Sequence, residues 1–146
     1  MANVPAIPLR VKKLVPAAVV PAYAKPGDAG LDLTATSAEF DSATRRLKVG
    51  YGLAMEIPEG HVGLIFPRSS IHKTGLVLSN CVGVVDSGYR GEVCSVFYVP
   101  AGAKPYAVGE RCAQLIVMPF PKMQIIEADE LSATARGTDG FGSTGA

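Results

Sequence analysis

The sequence predicts an all-β domain, a sandwich or barrel, on three observations. Apolar and polar residues alternate with period two over several short runs, the pattern of strands with one face on a core. Sixteen glycines and eleven prolines are dispersed along the chain, so many short strands must be joined by turns. The chain has 146 residues, 48% of them apolar, which suits one domain with its own core and excludes a disordered composition.

The elements follow in order. Leu9 and Val11 alternate with Arg10 and Lys12. Leu14 to Ala24 is the most apolar stretch, but it is too short to span a membrane and is cut by Pro16 and Pro21. Pro26-Gly27-Asp28 marks a turn. Leu53, Met55 and Ile57 alternate with Ala54 and Glu56; after a turn at Pro58-Glu59-Gly60, Val62, Leu64 and Phe66 follow the same rule. A short helix is expected from Ser69 or Ser70 to Thr74, capped by a serine and stopped by Gly75. Gly83 to Val93 reads as strand, tight turn at Asp86-Ser87-Gly88, and strand. Cys94–Val99 and Cys112–Met118 are more continuously apolar, as in strands buried on both faces. Turns at Pro100-Ala101-Gly102 and Val108-Gly109-Glu110 lie between them. From Ala133 the chain is small, polar and Gly-rich.

The formal charge of +1 gives no bulk electrostatic grip on nucleic acid or membrane. Lys12-Lys13 and Arg45-Arg46 read as solvated pairs. Three cysteines without a CxxC fit a reducing compartment and packing as small hydrophobes. His61 and His72 bring no second soft ligand for a structural metal. The N-terminus lacks the charged-then-apolar order of a signal peptide. An intracellular soluble protein is expected, in cytoplasm or nucleus, with no membrane or direct nucleic-acid partner.

The stretch GVVDSGYRGEV, Gly83 to Val93, carries the most chemistry. Its glycines let backbone approach a flat ligand. The Tyr89 ring offers a packing face, and a positioned carboxylate at Asp86 can take a proton from water. A purely structural turn has the same composition. Gln114 stands in an otherwise apolar strand and needs a partner there. Arg68, Ser69 and Ser70 fall at the expected helix start, where free amides favour anions. The tail RGTDGFGSTG is either a disordered terminus or an arm that orders over a ligand, with Phe141 stacking on a base.

Five motifs then stand in order: AGLDLTA (Ala29 to Ala35), PRSS (Pro67 to Ser70), the Gly83 to Val93 stretch, GERCAQLIV (Gly109 to Val117) and RGTDGFGSTG (Arg136 to Gly145). Together they resemble the trimeric deoxyuridine triphosphatase (dUTPase) family, over nearly the whole chain. The resemblance implies a jelly-roll-like β-barrel with one short helix over 1–135, and a flexible Gly-rich C-terminal arm over 136–146 that closes an active site. It implies hydrolysis of dUTP to dUMP and pyrophosphate by water attack on the α-phosphorus, with Asp86 as the base. Tyr89 would stand under the deoxyribose and exclude a 2′-hydroxyl. Backbone groups of Asn80, Gly83, Val84, Val85 and Cys94 would read uracil. Arg68, Ser69, Ser70 and Gln114 would take the phosphates, with Arg68 also pairing with Asp32. Arg136, Phe141, Gly142 and Ser143 would close over the γ-phosphate and base. Mg²⁺ would ride mainly on the triphosphate and water, with no direct protein ligand and Asp32 at most touching it through water. A homotrimer with shared sites is implied. Asp139 stands where the family commonly has Gly, and its side chain is expected to face solvent.

Two rival readings are weaker. The related dCTP deaminases carry a strand glutamate where this chain has Val96. A scaffold that has lost activity would not retain Asp86, Tyr89, Arg68, Gln114, Arg136 and Phe141 together.

Overall fold

The computed structural model describes residues 6–140. Ten strands form: β1 (Arg10–Lys13), β2 (Leu31–Thr34), β3 (Ser37–Asp41), β4 (Arg46–Gly50), β5 (Leu53–Glu56), β6 (His61–Pro67), β7 (Val77–Leu78), β8 (Gly83–Val85), β9 (Cys94–Tyr98) and β10 (Arg111–Pro119). One four-stranded sheet has the order β2-β10-β6-β8 and another β3-β4-β9-β7; β1 and β5 form a two-stranded ribbon. Every pairing is antiparallel. The all-β expectation holds, and the architecture is the jelly-roll-like one.

The turns are built as their residues dictate. In four of the five expected turns a glycine at the third position has positive φ: Gly27 (91°), Gly60 (74°), Gly102 (81°) and Gly109 (87°). Each is closed by an N–H of the fourth residue donating to the carbonyl of the first: Asp28 to Lys25, His61 to Pro58, Ala103 to Pro100 and Glu110 to Ala107. This is the type II pattern, which needs a residue without Cβ strain there.

The core lies between the two larger sheets. Leu33, Ile65, Val85 and Leu115 face it from one sheet, and Leu47, Val49, Leu78 and Phe97 from the other. Each such fully buried side chain contributes about 1.5–3 kcal/mol of burial. The Phe97 ring meets Tyr106 edge-on at 5.3 Å. Leu53, Met55 and Ile57 are buried as expected, with Ala54 beside them.

Several expectations are corrected. In β6 the buried residues are Gly63 and Ile65; Val62, Leu64 and Phe66 occupy the other, half-buried face. A Cβ at Gly63 would lie 3.0 Å from Ile57 and 3.2 Å from Leu115, so a side chain on the inner face here would require those neighbours to shift. β9 is not buried on both faces: Ser95 and Phe97 point in, whereas Val96 and Tyr98 are exposed. β10 keeps its double burial at Cys112 and Ala113 but reaches solvent by Met118. The short helix is a 3₁₀ turn, Ser69–Lys73, whose cap residue is Arg68, with no side-chain capping bond. One such turn carries little helix dipole. Arg45 is not a solvated charge: at φ 56° it sends Nε to the Val99 carbonyl (2.7 Å) and Nη2 to the Pro100 carbonyl (2.6 Å). Cys112 is buried and Cys94 half-buried, but Cys81 is exposed rather than packed. Burial pushes the Cys112 thiol up to about 12.

The main correction concerns Gly83 to Val93. β8 pairs with β6 and β9 pairs with β4 and β7, so the two flanking strands lie in different sheets rather than in one hairpin. The reason is a competing set of bonds. Val93 N–H donates to the Leu53 carbonyl (2.8 Å) and Tyr51 N–H to the Val93 carbonyl (3.3 Å), which draws the chain across to the β4–β5 connection.

The centre of the second sheet holds a buried polar pair, Tyr51 Oη to Ser95 Oγ at 2.7 Å. Burial raises the Tyr51 phenol pKa, with the Ser95 bond acting the other way. Ser95→Ala leaves that hydroxyl without its partner in a dry site. A loss of about 1–3 kcal/mol is expected, read from the shift of the urea midpoint at unchanged slope.

Candidate active site

Where β8 and β9 part, a pocket of about 240 Å³ opens, lined by Asn80, Gly83, Val84, Val85, Asp86, Tyr89 and Cys94, with Ile65, Glu92 and Val93. Seven residues expected from the sequence to hold a base, a sugar and an attacking water therefore share one cavity. Gly83 packs closely on Ile65: a Cβ there would sit 3.1 Å from the Ile65 Cβ. Asp86 follows the last β8 residue and is exposed. Its carbonyl accepts from Tyr89 N–H at 3.1 Å, closing the turn. The Tyr89 ring is 46% exposed, so it is no core residue, and Tyr89 Oη donates to the Glu92 carbonyl at 2.9 Å. The ring lies over Gly91, where a Cβ would come within 2.6 Å of Tyr89 Cζ. Burial raises the Cys94 thiol pKa, with the Glu92 carboxylate adding to it, so this thiol is neutral at physiological pH.

A second pocket, about 310 Å³, is lined by Asp32, Arg68, Ser69 and Gln114 together with Asp28, Gly30 and three apolar residues. β2 places Asp32 on the face opposite the buried Leu33. Asp32 Oδ1 accepts from Arg68 Nε at 2.9 Å and Oδ2 from Arg111 Nη1 at 2.8 Å. Both carboxylate oxygens are thus engaged by guanidinium groups, and the Arg68 fork is held beside the pocket. Gln114 Nε2 donates to the Pro67 carbonyl at 3.2 Å. Its Oε1 fills the space above Gly30, where any Cβ would collide with it.

Ser70 lies half-buried in the 3₁₀ turn but does not line this pocket. Arg136 is exposed and donates from Nε to the Asp139 carbonyl at 2.9 Å; Asp139 is exposed too. Phe141, Gly142 and Ser143 lie outside the described residues. Within one chain the structure therefore brings Asn80, Gly83, Val84, Val85, Asp86, Tyr89 and Cys94 together in one cavity and Asp32, Arg68, Ser69 and Gln114 in another, and leaves Ser70 and Arg136 outside both.

Sequence reasoning passed over three residues. Arg111 precedes a register shift between Arg111 and Ala113, which places it opposite Thr34 and in reach of Asp32. Its position inside GERCAQLIV was the available signal. Arg90 donates from Nη1 to the Ser87 and Tyr89 carbonyls (2.6 and 2.9 Å), bracing the turn after Asp86. Glu92 accepts from Gly52 N–H at 2.8 Å. Among the described residues no cluster of three His, Cys, Asp or Glu side chains offers a metal cage.

Asp32→Asn removes the charge between two guanidinium groups. Arg111 is 53% exposed and its share is screened, so most of the effect comes from the Arg68 bond. A loss of about 1–2 kcal/mol is expected in chemical denaturation.

A family model described as dUTPase matches residues 17–145. The chain is 43% identical to a deoxyuridine 5'-triphosphate nucleotidohydrolase of Nocardia farcinica over 94% of this chain and 86% of that protein. It is 47% identical to the protein of the same name from Methylocella silvestris, over 87% and 83%. The structure resembles that of the Staphylococcus bacteriophage 80alpha dUTPase G164S mutant with dUpNHpp, with TM-score 0.82 and 25% identity over 97% of this chain and all of that one. With its five motifs, its two pockets and these relatives, the chain belongs to the dUTPase family.

Proposed function

We propose that this protein hydrolyses dUTP to dUMP and pyrophosphate, which limits uracil incorporation into DNA and supplies dUMP for thymidylate synthesis. The observation that carries this reading is the cavity between β8 and β9. It gathers a carboxylate, a sugar-sized aromatic face and a run of backbone polar groups in one place. Backbone N–H and C=O groups have fixed polarity, so they match uracil O4 and N3–H and mismatch cytosine. A site of that kind discriminates by roughly 10⁴–10⁵. Tyr89 packs against C2′ and leaves a ribose hydroxyl neither space nor partner.

Asp86 orients a water and takes its proton as the water attacks the α-phosphorus in line; pyrophosphate leaves. A positioned base supplies roughly 10²–10⁴-fold, and the remainder comes from alignment and charge neutralisation. Arg68, Ser69, Ser70 and Gln114 supply donors to the phosphates. Arg136 and the tail, with Phe141, Gly142 and Ser143, form the closing arm. Bound Mg²⁺ neutralises phosphate charge. Mg²⁺ would ride mainly on the triphosphate and its own waters, and Asp32, with a guanidinium on each oxygen, would touch it at most through water.

The two pockets of one chain support a site completed by other copies, and so a homotrimer. The segment after β10 favours the same reading. Met123, Ile125, Ile126 and Leu131 are 66%, 88%, 75% and 91% exposed, an apolar run that a neighbouring copy would cover. A deaminase reading lacks its acid, since the position is Val96, on the exposed face of β9.

Pyrophosphate release with dUTP, dCTP and dTTP tests the function directly, with turnover expected for dUTP alone. Asp86→Asn keeps the shape of the side chain and removes the base. Turnover should fall at least roughly 10²-fold with a much smaller change in nucleotide affinity, and near-native turnover would refute the assignment. For the assembly, light scattering should give about three times the 15.2 kDa chain mass. Deleting residues 136–146 should leave that mass and the melting temperature in place while most dUTP turnover is lost. An active monomer, or a fully active truncated chain, would count against the shared-site arm.

A further inference from the structure

The Tyr89 ring is not held by the core. It is 46% exposed and its turn leaves one sheet for the other. What fixes its far end is the bond from Tyr89 Oη to the Glu92 carbonyl. The position of that carbonyl depends on how Glu92 is attached.

Glu92 is attached in three ways. Its side chain runs back to the β4–β5 connection, where Oε1 accepts from Gly52 N–H at 2.8 Å. Its neighbour Val93 is bonded on both sides, to Leu53 and to Tyr51. The path of the carboxylate is cleared by Gly50, where a Cβ would lie 2.6 Å from Glu92 Oε1. Among the described residues no Arg, Lys or His forms an ion pair with Glu92. The half-buried carboxylate therefore takes the Gly52 N–H with no cation beside it, and it also faces the Cys94 thiol, whose pKa it helps to raise. Glu92 also lines the same cavity as Asp86 and Tyr89.

We propose that Glu92 is a positioning residue for sugar selection, holding the Tyr89 ring at the depth where it excludes a 2′-hydroxyl. This rests on the reading of the cavity as a deoxynucleotide site. Glu92 makes no contact with the reacting atoms. Its carboxylate ties residue 92 to Gly52, its carbonyl ties the Tyr89 hydroxyl, and the ring spans from there over Gly91 into the pocket.

The test is the ratio of kcat/KM for dUTP to that for UTP, measured on the purified full chain. A ratio on one preparation does not depend on how much of it is folded, so a merely structural role would not move it. The wild type must first turn over dUTP; if it does not, the function and the positioning role fall together. Glu92→Ala is expected to lower the ratio at least about tenfold, as a displaced ring admits ribose. Glu92→Gln keeps an oxygen for Gly52 N–H and should stay within about twofold of wild type. Tyr89→Phe keeps the ring, loses the tether and should lower the ratio as well. The double variant Glu92→Ala/Tyr89→Phe should be no worse than the more affected single one, because both cut the same tether. Wild-type dUTP turnover with an unchanged ratio in Glu92→Ala, or additive effects in the double variant, would overturn the positioning role alone. Should Glu92→Ala fail to fold, Tyr89→Phe decides the matter, since it leaves the Glu92–Gly52 bond intact; an unchanged ratio there overturns the proposal.

Discussion

Three hydrogen bonds between residues 92–93 and residues 51–53 govern the functional half of this fold. They pull the chain away from β8 immediately after the turn and deliver it to the second sheet. Had β8 and β9 stayed paired as a hairpin, their backbone N–H and C=O groups would have bonded to one another. Because the strands part, the backbone of residues 83–85 and that of residue 94 border a shared opening. Buried Ile65 and exposed Asp86 and Tyr89 line it as well. The core pins both ends of the opening, through Val85 on one side and Val93 on the other, which are 7% and 1% exposed.

Charge is organised separately, around Asp32. A carboxylate with one guanidinium on each oxygen is satisfied as an acceptor, while each arginine keeps donors to spare. The cluster therefore presents net positive character to an anion without leaving any partner unpaired. Gly30 and Gln114 complete it sterically, since the amide occupies the space a side chain at position 30 would need. The pocket needs its glycine for room, and no positive φ is involved at that residue.

The core is complete before the C-terminal segment begins. Among the described residues no buried core residue lies beyond Leu115, and the last strand ends at Pro119. The exposed segment that follows adds no burial within the chain, so its apolar side chains have nothing to do with holding the sandwich together.

Much was legible in the residues themselves. The four glycine turns follow from local backbone chemistry, and a glycine with φ above zero needs no tertiary context to be read. The motif residues carry a resemblance to the dUTPase family that the relatives bear out. The grouping of Asp32 with Arg68 and the exposed setting of Tyr89 also agree with the reading of single residues. What the sequence left open is what depends on partners distant in the chain. Period two shows that Val62, Leu64 and Phe66 share a face, but only the packing of Ile57 and Leu115 against Gly63 selects the opposite face as the inner one. The strand signal on both sides of Asp86 cannot tell a hairpin from a crossing between sheets, because that choice lies with amides at 51–53. Arg111 and Glu92 have ordinary surface chemistry in one dimension. A register shift and a glycine path bring them to Asp32 and Gly52. Local conformation is set by residues adjacent in sequence, whereas the faces, the partings and the charge partners are set by contacts made only when the sheets come together.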